Sequence, residues 1–129
     1  MTIETSTAHV SLIDDVVAVI SVKENVEIDV PQTWENYHAV IKLNPAGDFP
    51  VLFETRGFVS ISKESRELVA SKEMAKESCA TALLVENMAM KIFGNFFIRF
   101  DRPPRPTKLF TDRAEAIAWC KEQYRLIKR

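Results

Sequence analysis

Few residues in this chain stand at spacings that could support covalent chemistry. Residues 60–63 read Ser-Ile-Ser-Lys, the spacing at which a lysine amine can activate a serine hydroxyl for acyl transfer. The companion motifs of such hydrolases are missing, and Ser62 suits the cap of a helix better. An acyl-transferring enzyme that uses Ser62 and Lys63 is therefore only a minor hypothesis. Cys79 and Cys120 fall among apolar neighbours, which predicts core thiols rather than nucleophiles.

The sequence also lacks a group of residues spaced to bind a metal ion or a cofactor. His9 and His38 stand without a cysteine or carboxylate at ligand spacing. The three glycines, Gly47, Gly57 and Gly94, are too dispersed for a phosphate-binding loop. We therefore predict no catalytic residue, no metal site and no cofactor, and a protein that is not an enzyme.

The composition indicates a single ordinary globular domain over residues 1–129. Hydrophobic residues make up 47% and charged residues 27%, which excludes disordered and fibrous classes. Seventeen basic and eighteen acidic residues give a net charge of −1, so no nucleic-acid partner is expected. The first residues lack the features of a signal peptide, and no transmembrane segment is expected. Together with the two distant cysteines, these features predict a cytoplasmic protein.

The pattern of apolar runs predicts an α/β fold in the order ββαβαβαβα. The predicted strands cover residues 9–13, 16–22, 50–53, 79–85 and 107–110. Capping residues mark helix starts at Asp29, Ser62, Ser71 and Asp112, and residues 88–100 form a further helix. Asp14 and Asp15 form a tight turn between the first two strands. We expect a mixed sheet of four to five strands, with helices mainly on one face.

The predicted helix Met88–Phe100 is more apolar than one buried face requires. Its polar residues share one narrow stripe: Lys91, Asn95 and Arg99. Its apolar residues spread over about 160°, whereas covering one sheet needs about 100°. The stripe expected to face the sheet contains Ala89, Phe93, Phe96 and Phe100. This arrangement predicts that Met90, Phe97 and Ile98 are left partly exposed.

Three environments could accommodate the surplus apolar side chains of this helix. A neighbouring helix of the same chain could cover them, a second copy of the chain could cover them, or they could line a pocket for an apolar ligand. The candidate interface or ligand residues are Met88, Met90, Phe93, Phe96, Phe97 and Ile98. The leading hypothesis is a protein-binding or regulatory module that forms a homodimer, with another regulatory protein as a possible partner. The alternative is a carrier or sensor of a lipid-like or other apolar small ligand.

Two segments resemble a known family. Residues 51–68 resemble the signature region of STAS, or anti-sigma-factor-antagonist-like, domains, with Glu54 ending a strand and Gly57 following it. The stretch from Gly94 to Trp119, with its prolines at 103, 104 and 106, is similar to small uncharacterised bacterial proteins of SpoIIAA-like fold. The resemblance implies a STAS-like domain over nearly the whole chain and a non-enzymatic regulatory role.

The resemblance also points to a phosphorylation site that this chain alters. Aligned on Glu54 and Gly57, the family's Asp-Ser-Ser-Gly helix start falls on residues 62–65, which read Ser-Lys-Glu-Ser. Lys63 occupies the place of the phospho-accepting serine and cannot accept phosphate there. Ser62 and Ser65 are the remaining candidate phospho-acceptors.

Overall fold

The computed structural model describes residues 1–76 and 78–127, and it contains eight strands and five α-helices in that part of the chain. The strands are β1 (Thr2–Glu4), β2 (Ala8–Ile13), β3 (Val17–Val22), β4 (Glu27–Ile28), β5 (Phe49–Thr55), β6 (Ser60–Ile61), β7 (Ser78–Leu84) and β8 (Thr107–Phe110). The helices are α1 (Val30–Leu43), α2 (Lys63–Val69), α3 (Lys72–Ala75), α4 (Met88–Phe96) and α5 (Arg113–Ile127). A π-helical segment, Phe97–Asp101, continues α4.

Six of the strands form one mixed sheet in the order β1-β2-β3-β5-β7-β8. The first three strands are antiparallel, and β3, β5, β7 and β8 are parallel. The short strands β4 and β6 pair separately. The mixed sheet is confirmed, but its strand number is six rather than four to five. Strand β1 escaped prediction because Thr2–Glu4 is too short to show an alternating pattern.

The local signals for turns and caps are confirmed. Asp14 and Asp15 both adopt left-handed backbone angles, with φ of 52° and 56°, as a tight turn between antiparallel strands requires. Asp29 forms a capping box with Gln32 at the start of α1. Ser62 and Ser71 cap α2 and α3.

The sheet has a hydrophobic core on each face. One face packs against α1 and α4, and its core includes Val10, Ile20, Val40, Phe49, Val51, Val85 and Met90. The other face packs against α5, and its core consists of Val17, Val19, Leu52, Ala82, Phe110, Ala116 and Cys120. Because α1 and α4 lie on one side and α5 on the other, the helices cover the two faces unequally, as predicted.

Candidate ligand-binding site

Two contacts position helix α4 over the sheet, one at its start and one near its end. The Asn87 side chain accepts a hydrogen bond from the Met90 N–H at 2.9 Å and donates one to the Gly57 carbonyl at 2.8 Å. Gly94 lies so close to β8 that a Cβ atom there would be 2.7 Å from Leu109 Cδ1. Gly94 therefore lets the backbone of α4 pass directly against the Leu109 side chain.

This approach decides which apolar residues of the helix are buried. Met90 and Phe97 are buried with exposed fractions of 3% and 6%, and Gly94 lies between them on the same face. The prediction that Met90 and Phe97 are left exposed is therefore wrong, and Ile98 is half-buried. Periodicity located the polar stripe correctly but could not identify the close approach at Gly94. In addition, the π-helical turn after Phe96 rotates the residues that follow it relative to a regular α-helix.

The opposite side of the helix exposes a row of large apolar side chains. The row, called the outer row below, consists of Met88, Ile92, Phe96 and Phe100, exposed by 66%, 64%, 41% and 69%. Phe96 and Phe100 were predicted to face the sheet, so this assignment is wrong as well. Their rings stack on each other with centroids 4.4 Å apart.

A cavity of about 120 Å³ lies beneath α4. Its floor is the sheet, and its walls come from α1, α2, α3 and α4 together with the π-helical segment. The apolar lining residues include Ile20, Tyr37, Phe53, Leu83, Val85, Met90, Phe93 and Phe97. Five of the six helix residues predicted to form an interface or ligand site thus divide into two groups, and Ile98 belongs to neither. Met90, Phe93 and Phe97 line the cavity, whereas Met88 and Phe96 belong to the outer row.

Neutral polar groups that line the cavity bond to partners within the protein. The hydroxyl groups of Thr33 and Ser65 are hydrogen-bonded to each other. The Tyr37 hydroxyl donates to the Met74 carbonyl at 2.9 Å, and the Asn36 amide donates to the Thr7 hydroxyl at 3.0 Å. These bonds hold α1 against α2, α3 and the loop between β1 and β2 without placing a charge in the cavity.

One ion pair joins α2 to the end of the π-helical segment beside this cavity. Arg66 Nη1 donates to Asp101 Oδ2 at 3.2 Å, and each side chain is 13% exposed. The guanidinium carbon also lies 4.8 Å from the ring centroid of Phe96 and 5.9 Å from that of Phe93. Such placement against aromatic faces is favourable for a cation. Arg66 therefore contacts both the cavity and the outer row.

The two candidate phospho-acceptors have different surroundings. Ser65 is fully buried, so a kinase cannot reach its hydroxyl in this conformation. Ser62 is half-buried; its hydroxyl accepts from the Ser65 N–H at 3.1 Å and donates to Asp29 Oδ1 at 2.8 Å. The hydrogen bond from Ser62 is the main cause that lowers the pKa of Asp29, with a second from the Val30 N–H. Phosphorylation of Ser62 remains a prediction.

Neither cysteine shows the surroundings of a reactive nucleophile. Cys120 is buried beneath α5, and burial raises the pKa of its thiol to about 12. Cys79 is buried in β7. Across residues 1–76 and 78–127, no three His, Cys, Asp or Glu side chains gather as metal ligands. In the same part of the chain, no helix combines the length and apolarity needed to cross a membrane.

Sequence reasoning missed Arg66, Asn36 and Met74 as members of the site. They come from α2, α1 and α3, and only the folded chain brings them to one cavity. The hydrogen bond from the Tyr37 hydroxyl to the Met74 carbonyl joins residues 37 positions apart, so sequence spacing could not predict it. Nothing in the sequence marked Arg66 as a cavity residue, because a charged residue in a short helix is ordinarily exposed to solvent.

The fold is that of the SpoIIAA-like class. A solved structure of an uncharacterised protein from the DUF3478 family with a SpoIIAA-like fold, from Shewanella loihica PV-4, superposes with a TM-score of 0.57. The two chains are 13% identical, and the match covers 86% of this chain and 90% of that chain. The predicted STAS-like and SpoIIAA-like resemblance is thereby confirmed for the fold.

The family of the chain follows from its sequence. The model of a domain of unknown function, DUF7793, matches residues 11–124, and the chain belongs to this family. No curated protein matches the chain.

Proposed function

We propose that this protein is a non-enzymatic regulatory module that binds a small apolar ligand, as its carrier or sensor, in the cavity beneath α4. The observation that carries the proposal is the cavity of about 120 Å³ between the sheet and helices α1 to α4. Met90, Phe93 and Phe97, three of the residues predicted to form an interface or ligand site, line it.

The size and lining of the cavity suit a ligand of a few carbon atoms. An engineered apolar cavity of about 150 Å³ in another protein stays dry and binds benzene. A comparable volume lined by Phe53, Leu83 and Val85 favours a ligand part of about six heavy atoms. Ligand sites are commonly apolar with a few placed polar groups, and Thr33 and Arg66 supply such groups here.

The surroundings of the nucleophile candidates support a binding role over a catalytic one. The Ser62 hydroxyl is engaged by Asp29 and by the Ser65 N–H, and Cys120 is held as a neutral thiol by its raised pKa of about 12. We place the protein in the cytoplasm, which fits two thiols buried in the cores.

The proposal is tested by thermal unfolding with and without hexan-1-ol. Wild type should gain stability as the alcohol concentration rises, because a ligand that binds only the folded state stabilises it. Val69 lines the cavity, and Val69→Phe should fill it and abolish this gain. The matched control is Ile92→Phe on the outer row, which should respond as wild type does. No gain in wild type, or an equal gain in Val69→Phe, would contradict the proposal.

A second candidate function is self-association through the outer row. Four large apolar side chains spaced by four residues are exposed along one helix side, and exposed apolar patches commonly mark protein interfaces. A second copy of the chain would cover this row in a homodimer, and another regulatory protein is the other possible partner. Met90 and Phe97 take no part, because both are buried.

Sedimentation of wild type beside Phe100→Asp tests this second function. Phe100 is 69% exposed, so the substitution should leave the fold intact and convert a dimer to a monomer. The matched control is Leu126→Asp on the exposed side of α5, which should sediment as wild type does. A monomeric wild type would rule the homodimer out.

A further inference from the structure

Arg66 is the single charged residue among the described residues that line the cavity. Its side chain is 13% exposed, which is low for an arginine in a seven-residue surface helix. The neutral polar groups of Thr33, Ser65, Tyr37 and Asn36 are hydrogen-bonded to other groups of the protein. Arg66 is therefore the group best placed to determine the charge of a bound ligand.

The ion pair of Arg66 leaves hydrogen-bonding capacity for a ligand. A guanidinium carries five N–H donors, and Asp101 engages one of them at 3.2 Å. This single contact is longer than the roughly 2.7–2.9 Å of strong charge-assisted hydrogen bonds. A carboxylate that approached in bidentate geometry would make a better partner than Asp101 does. The exchange would keep the cation paired, while the displaced Asp101 carboxylate, 13% exposed in the ion pair, would have to be solvated by water instead.

The aromatic neighbours hold the guanidinium in place during such an exchange. Phe96 and Phe93 lie 4.8 Å and 5.9 Å from its central carbon, and contacts of this kind attract a cation through the ring face. Phe93 also lines the cavity. The apolar space and the cation are thus adjacent, which matches a molecule that has an apolar part and an anionic group.

We infer that the ligand of this cavity is an apolar carboxylate whose carboxyl group pairs with Arg66 in place of Asp101. The apolar part that lies inside has about six carbon atoms, given the cavity volume. This inference rests on the proposed function, because it requires that the cavity binds a ligand, and it adds the chemical class.

Titration of the full chain with hexanoate and with hexan-1-ol at pH 7 and low salt tests the inference. Wild type should bind hexanoate at least tenfold more tightly than hexan-1-ol, and added sodium chloride should weaken hexanoate binding alone. Arg66→Gln should lose the preference while it still binds hexan-1-ol. The matched control is Arg99→Gln, which removes an exposed arginine of the same neighbourhood and should keep the preference.

Asp101→Asn provides a test in the opposite direction. Removing the competing carboxylate should tighten hexanoate binding about tenfold and leave hexan-1-ol binding unchanged, so the inference stays testable even if Arg66→Gln does not fold. Equal affinity of wild type for the acid and the alcohol would overturn the inference but keep the proposed function. A wild type that binds neither compound would overturn both.

Discussion

The two faces of the helix formed by residues 88–101 are similarly apolar but have different surroundings. The inner face, with Met90, Gly94 and Phe97, packs on the sheet and borders the cavity. The outer row carries large apolar side chains as well, yet all four are exposed. The comparison shows that an excess of apolar residues indicates a helix with both a buried face and an exposed apolar face. It does not indicate which residues belong to which face.

The two faces differ in how closely other parts of the protein pack against them, and not in their hydrophobicity. Gly94 lets the helix backbone approach Leu109, and its neighbours on that side are therefore buried. In the outer row, Phe96 has the Arg66 guanidinium of α2 over its ring and yet stays 41% exposed. Gly94 was thus the informative residue of this helix. Glycine destabilises the interior of a helix relative to alanine, so its presence there indicates that another part of the protein packs closely against the helix backbone.

The largest difference between the faces should appear in stability. Phe97→Ala removes a buried ring and should lower the free energy of unfolding by about 3 kcal/mol. Phe100→Ala makes the same chemical change on the outer row and should alter it by less than about 0.5 kcal/mol. Urea-induced unfolding of both variants and wild type measures this difference. Equal losses in the two variants would mean that the assignment of the faces is wrong.

A smaller effect is expected where the helix begins. Asn87→Ala removes both the cap of α4 and the bond to the Gly57 carbonyl, and it should cost about 2 kcal/mol. Asp112 accepts from the Glu115 N–H at the start of α5, and Asp112→Ala should cost about 1 kcal/mol. If denaturant unfolding shows Asn87→Ala to be no more harmful than Asp112→Ala, the link to Gly57 does not help to fix the helix.

The smallest effect concerns Cys120, in the core on the opposite face of the sheet. The pKa of its thiol is raised from about 9 to about 12 by burial. The unfolded chain therefore loses this proton first as pH rises, so the stability contribution is complete below pH 9 and decreases towards pH 12. Between pH 8 and pH 9.5, the free energy of unfolding of wild type should fall by about 0.8 kcal/mol more than that of Cys120→Ala. Equal losses would show that this core admits water.

Much of the fold could be predicted because its determinants are local. The turn at Asp14 and Asp15, the capping box of Asp29 and the caps Ser62 and Ser71 depend on residues within a few positions of one another. The apolar strands followed from their β-branched runs. Strand β1 could not be predicted, because it exists only through its pairing with β2.

The candidate site was predicted only in part, because its determinants are not local. The helix that contributes to it was recognised from its excess of apolar residues, and Met90, Phe93 and Phe97 were among the residues chosen. The exposure of Met90 and Phe97 was predicted wrongly, since periodicity contains no information on the approach at Gly94. Arg66 was missed because its ion pair with Asp101 joins residues 35 positions apart.

The most direct test of the ligand-binding claim uses the four methionines of the chain as reporters. Met90 and Met74 line the cavity, whereas Met88, two positions from Met90, is 66% exposed on the outer row. We would record the methyl NMR signals of methionine-labelled protein during titration with hexan-1-ol. The account predicts saturable shifts for Met90 and Met74, with Met88 and Met1 nearly unchanged. A shift of Met88 with Met90 and Met74 unchanged would place the alcohol on the surface and contradict the account.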